Sequence, residues 1–137
     1  YSDITTIQSG FNQDPSLSIA NQGLATRPDR IASTVTGPKT VQQWFNTGAF
    51  AAPPPGFFGN AAPGSIMGPG TVNFDMALYK DFHFAERHTI EFRSEFFNIF
   101  NHTNFNGIDP TFGSGTYGQV TSARDPRIVE FALRYQF

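Results

Sequence analysis

The chain has 137 residues, ordinarily enough for one domain, but only 15% of them are charged and 16 are Phe, so it is aromatic and polar where a soluble domain would be charged. Its mean hydropathy is −0.29 and no apolar run approaches the roughly 20 residues of a membrane-spanning helix, which excludes a helical membrane protein but not a barrel wall, whose alternating strands dilute hydropathy. A net charge of −2 gives no general attraction to nucleic acid or anionic membrane surfaces, and the absence of Cys removes disulfide frameworks and thiolate metal sites.

The chain opens at Tyr1 with neither an initiator Met nor a signal-peptide pattern, and so reads as part of a longer precursor. Ile4, Thr5, Thr6 and Ile7 predict a strand over Tyr1 to Gln8, interrupted by Gly10. From Gly10 to Gly70 the chain is dense in Gly, Pro, Asn, Ser and Thr, with Pro53-Pro54-Pro55-Gly56 followed by Gly59, Pro63, Gly64, Gly68 and Pro69. This predicts one long loop system. Within it Val41 to Phe45 suits a short helical turn or a strand, with Trp44, Phe45 and Phe50 tacking the loop onto a surface. Such a loop counts against a compact soluble domain, whereas long outer loops are the expected form in membrane barrels.

At Val72 the character changes. Val72, Phe74, Met76, Leu78, Phe82 and Phe84 fall on one face of an extended chain, with Lys80 the one charge among them; Asn73, Asp75, Tyr79, Asp81 and His83 fall on the other. Buried residues should therefore alternate with exposed ones along this run. Ala85-Glu86-Arg87 predicts a tight polar turn, and a second alternating run starts at His88, with Ile90, Phe92 and Phe96 opposite Glu91, Arg93 and Glu95. The two runs predict a hairpin. Phe96-Phe97-Asn98-Ile99-Phe100 ends it in an aromatic cluster that suits a girdle at a membrane interface. Asn101 to Arg127 predicts a second long loop, after which Val129, Phe131, Leu133, Tyr135 and Phe137 alternate with Glu130, Ala132, Arg134 and Gln136. The chain thus divides into a strand plus long outer loop over 1–71, a β-hairpin over 72–100, an outer loop over 101–127 and a closing strand over 128–137.

A soluble sheet burying its Phe face would compete with a barrel wall showing that face to lipid, and the loop lengths decide between them. One tight turn between two very long connections is the short-long alternation of barrels, whereas a sandwich has more even turns. The fold class read from the residues is all-β, with antiparallel strands and long Gly/Pro/Asn-rich loops.

Several segments carry a family resemblance. Arg27-Pro28-Asp29, Gln43-Trp44-Phe45-Asn46-Thr47 with Ala49-Phe50, Phe58-Gly59-Asn60-Ala61, Gly68-Pro69-Gly70 and Asn73-Phe74-Asp75 are followed by Glu95-Phe96-Phe97-Asn98-Ile99-Phe100-Asn101-His102 and by Gln119-Val120-Thr121-Ser122-Ala123-Arg124-Asp125-Pro126-Arg127. Together they resemble the C-terminal β-barrel region of TonB-dependent receptor-like outer-membrane proteins, the large Oar-like receptors with a carboxypeptidase-regulatory-like domain at the N-terminus. The ending Tyr135-Gln136-Phe137 looks like the signal by which barrel-assembly machinery recognises outer-membrane proteins. The resemblance implies a plugged barrel of about 22 strands, of which this chain would supply about four strands and two outer loops. It implies an outer-membrane location, with the rest of the barrel, the lipid bilayer and the assembly machinery as partners.

The remaining candidates point away from catalysis. His83, His88 and His102 lack a His-Glu-x-x-His frame and clustered ligands, so they read as strand-end or loop residues rather than a metal site. Glu91 and Glu95, with Arg93 between them, read as a lumen-side ion-pair ladder rather than an acid-base pair. Gly113-Ser114-Gly115 lacks the context of a phosphate loop and reads as a flexible tip, and Asp109-Pro110 and Asp125-Pro126 as turn initiators. Asn101-His102-Thr103 matches a glycosylation sequon, a short and frequent pattern. Trp44, Phe45, Phe50, Phe57 and Phe58 read as contacts to a ligand or as pins for a loop. The sequence thus predicts a non-catalytic receptor or transporter segment without metal or cofactor, in which Val129, Phe131, Leu133, Tyr135 and Phe137 form the decisive strand. The rival reading is an extracellular fibre subunit in which other copies of the chain cover the open strand edges.

Overall fold

The computed structural model describes residues 1–18, 27–84 and 87–137. In chain order the strands are β1 (Ser2–Gln8), β2 (Asn12–Gln13), β3 (Ser16–Leu17), β4 (Asp29–Arg30), β5 (Phe50–Ala51), β6 (Ile66–Met67), β7 (Thr71–Phe84), β8 (His88–Phe97), β9 (Phe105–Ile108), β10 (Thr111–Phe112), β11 (Val120–Ala123) and β12 (Ile128–Gln136). Among the described residues the helical element is a single 3-10 turn, Thr47–Ala49, capped by the Asn46 side chain. The chain is all-β, and its long strands are antiparallel. It forms two compact units: Tyr1–Gln8, Thr71–Asn104 and Arg124–Phe137 make the first, Ser9–Gly70 and Phe105–Ala123 the second.

The first unit is a four-stranded sheet in the order β1-β7-β8-β12. The period-two pattern sets these strands, and their pairing keeps like faces together. Met76 lies opposite Phe96 and Phe82 opposite Ile90, while Val129, Leu133 and Tyr135 lie opposite Phe96, Phe92 and Ile90. Phe84 opposite His88 closes the predicted hairpin. Of the predicted turn, Ala85 and Glu86 lie outside the described residues. Both long excursions leave the sheet at the end opposite this hairpin, since Gln8 pairs with Thr71 and Ile128 with Phe97.

The expected alternation of burial along β7 is not found. Leu78 on the apolar face and Tyr79 on the polar face are each 43% exposed. Burial changes along the strand instead: Thr71 is buried, residues 72–77 are half-buried, and residues 78–84 are exposed. The cause is the sheet's width. β1 covers one side of β7 as far as Ala77, and beyond that point β7 has a hydrogen-bonded neighbour in β8 alone. Among the described residues of this unit, neither face of the sheet is packed against a second layer.

The second unit departs further from the loop predicted over Gly10–Gly70. Phe45, Ala49, Phe50, Ala61, Ile66 and Ile108 are buried together, with Ala32, Val35, Trp44, Phe112, Tyr117 and Val120 packed around them. Phe45 and Phe50 are therefore core residues rather than pins on a surface, whereas Phe57 and Phe58 are exposed. Phe45 meets the edges of Phe50 at 6.2 Å and Tyr117 at 5.4 Å, in the T-shaped arrangement that the ring quadrupoles favour. Val41 to Phe45 is neither helix nor strand. Its backbone is satisfied from elsewhere: Trp44 N donates to Gly118 O, Val120 N donates to Val41 O, and Phe45 bridges to Thr36. The two-residue strands pair across long separations, and one pair, β3 with β10, is parallel. Gly59 shows how tightly this unit closes, because a Cβ there would lie 2.0 Å from Arg27 O.

Candidate functional site

On the first unit the pairing places Val72, Phe74, Met76, Leu78, Phe82, Phe84, Ile90, Phe92, Phe96 and the four alternating residues of β12, Val129, Phe131, Leu133 and Tyr135, on one face. Phe131 stacks on Phe92 at 6.1 Å and meets Phe96 edge-on at 6.3 Å. Phe131 and Leu133 are 67% and 70% exposed, so a broad apolar face has no cover within this unit. Its two ends are aromatic. At the hairpin end Tyr135 stacks on His88 at 5.7 Å and on Phe84 at 6.2 Å, neighbours Phe137, and joins its hydroxyl to His88 Nδ1 at 2.6 Å. At the other end Phe74 meets Phe100 edge-on at 5.1 Å.

Phe74 and Phe84 are ten residues apart on β7, about 34 Å along an antiparallel strand. With the usual barrel tilt of about 40° this projects to about 26 Å, the height of the apolar band between the aromatic girdles of outer-membrane barrels. Among the described residues the charges on this face are Asp3 on β1 and Lys80 on β7. Lys80 Nζ lies 5.9 Å from the Phe82 ring, so its stem covers apolar surface while its head points toward the hairpin end.

The opposite face is polar. Arg93 lies between Glu91 at 3.6 Å and Glu95 at 4.0 Å and sits over the Tyr79 ring, whose hydroxyl donates to Glu95. This is the ladder read from the sequence. The pairing also puts Glu130 directly opposite Glu95.

Where β8 ends, three asparagines replace it. Asn98 and Asn101 take left-handed backbone angles, φ 52° each, which Asn tolerates better than most residues. Asn98 N donates to Asp75 Oδ1, and the Asn98 amide bridges the backbone of His102 in both directions. Asn104 is 3% exposed; its Oδ1 accepts from Val72 N at 2.8 Å and its Nδ2 donates to Val72 O at 2.9 Å. Asn101, the sequon residue, is exposed, and its Oδ1 accepts from Arg127 N. Sequence reasoning missed this knot, although the spacing of three between Asn98, Asn101 and Asn104 marked it.

The three histidines are not brought together. His83 contacts Thr89, His88 contacts Tyr135, and His102 contacts Asn104. In the second unit the Gly113-Ser114-Gly115 tip is tied rather than loose: Ser114 N donates to Thr111 O and its hydroxyl contacts Thr116. Asp109 gathers the turn, accepting from Thr111 N at 2.9 Å and Thr116 Oγ1 at 2.7 Å. Partial burial pushes the Asp109 carboxyl up, but hydrogen bonds from Ser114, Thr116 and Thr111 outweigh it and hold it below the usual range. Burial, and then the charge of Asp109, push the Tyr117 phenol up to about 12.

Because the folded value for Tyr117 lies above its ordinary 10, its contribution to stability is whole below pH 10 and lost as pH rises through about 12. In an alkaline titration followed by phenolate absorbance, the step missing from Tyr117→Phe should lie near 12. A missing step near 10 would show that the phenol is solvated.

A family model described as an outer membrane beta barrel domain matches residues 1–130. No curated protein and no solved structure gives a match.

Proposed function

Because the chain belongs to the family of outer membrane beta barrel domains, we propose that it forms part of the C-terminal wall of a TonB-dependent receptor, a transporter segment with no catalytic role of its own. The observation that carries the reading is the apolar face closed at both ends by aromatic side chains, with an ionic ladder on the reverse. Lipid would meet the first face and a polar lumen the second. The hairpin would face the periplasm and the long excursions the outside, as short and long connections do in such barrels. The likeness of Glu95 to His102 and of Gln119 to Arg127 to Oar-like receptors supports the receptor class.

Left in water, the large side chains of the apolar face would each forfeit about 1.5–3 kcal/mol of burial, so the chain is not a free monomer. Purified from outer membranes in detergent, the protein carrying this segment is expected to migrate faster unboiled than boiled on a denaturing gel, and to be captured by the periplasmic domain of TonB. Equal migration would remove the barrel reading, and faster unboiled migration without capture would remove the receptor class alone.

The open edges of β1 and β12 favour one second reading, in which copies of the chain add strands to each other in an extracellular fibre. Filaments forming in detergent-free water, with no heat-modifiable species, would favour it.

A further inference from the structure

The second unit contains a cleft of about 490 Å3, a size typical of small-molecule sites. Two cations, Arg30 and Lys39, line it together with Trp44, Thr34, Thr36 and Ser65, and no carboxylate lines it among the described residues.

The lining groups are held in place. Arg30 Nε donates to Ala32 O at 2.9 Å and Nη2 to Ser33 O, which fixes the guanidinium plane and leaves Nη1 for a ligand. Trp44 Nε1 donates to Met67 O at 3.0 Å, and its ring meets Phe105 edge-on. Lys39 has a left-handed backbone, φ 56°, that Gly would adopt more cheaply. Its amide donates to Trp44 O and closes the turn that carries both side chains.

We propose that this cleft binds a small molecule bearing an anionic oxyacid group, carboxylate or phosphate, paired with Arg30 and Lys39, with Trp44 as an apolar wall. Charge-assisted hydrogen bonds from Arg and Lys recognise this chemistry, and a site without carboxylates does not repel it. The inference rests on the second unit alone, so it stands or fails separately from the wall reading.

The test is calorimetric titration of the intact protein in detergent with citrate, glucose 6-phosphate and glucose. Saturable binding of citrate or glucose 6-phosphate but not glucose is expected, and whichever anion binds identifies the carboxylate or the phosphate source. Lys39→Gly and Arg30→Gln should each weaken it about ten- to hundredfold. Lys39→Gly should also raise the melting temperature, which separates lost binding from lost fold. Silence from both anions, equal binding of glucose, or unchanged affinity in Lys39→Gly would overturn the proposal.

Discussion

Phe131→Arg is expected to abolish insertion of the wall into a bilayer, whereas Glu130→Arg, one residue away, should leave it intact or improved. Phe131 lies opposite Ser94, which in turn lies opposite Leu78, close to midway between the aromatic ends at Phe74 and Phe84. A cation on the lipid face at that depth costs about 2–4 kcal/mol, a factor of about 30 to 700 in the folded-to-unfolded ratio. The lost contacts with Phe92 and Phe96 add to it. Glu130 points the other way and faces Glu95, a like-charge pair whose removal should gain about 0.2–1 kcal/mol. Folding yield into lipid vesicles, read from the gel shift, measures both. Equal yields would mean that the two faces of β12 do not meet different solvents.

The contrast between these neighbours could be drawn from sequence, because period-two alternation is a local property and survives whatever surrounds the strand. β7 was legible to within a residue of its start, β12 likewise, and so was the Arg93 ladder. Burial was not. Alternating exposure requires one face to be covered, and nothing among the described residues of the four-stranded sheet's unit covers either face; on the proposed reading the cover is lipid and further strands. The second unit was illegible for a different reason. Phe45, Phe50 and Ile108 carry no period, and what joins them is pairing at long separation, such as Ser16 with Thr111. A stretch rich in Gly and Pro reads as a loop whether or not its aromatics find one another, so the core and the Arg30–Lys39 cleft beside it appear only once the chain is closed.

Asn104→Ala is expected to open the end of the wall away from the hairpin while leaving the hairpin end unchanged. Along β7 the ladder to β8 runs as far as Met76, opposite Phe96, and beyond it Phe74 O accepts from Ile99 N. At Val72, which lies opposite Ile7 of β1 on one side, no strand remains to pair with on the β8 side. The Asn104 carboxamide stands in for one, offering Val72 both an acceptor and a donor, as a peptide group of the next strand would. The Asn104 carbonyl in turn accepts from Arg124 N at 2.7 Å, so one buried residue ties β7 to the segment leading into β12. Ala keeps that backbone bond but strands the Val72 N–H and C=O, each at about 1–3 kcal/mol if buried, or about 2–4 kcal/mol together after partial relaxation. Hydrogen exchange at the Val72 amide should accelerate about 30- to 700-fold, with Ile90 and Phe92 on β8 unaffected. Asn101→Ala, which removes one exposed bond to Arg127, should change exchange at Val72 little. Similar acceleration in both variants would show that the loop as a whole, rather than the Asn104 amide, ends the ladder.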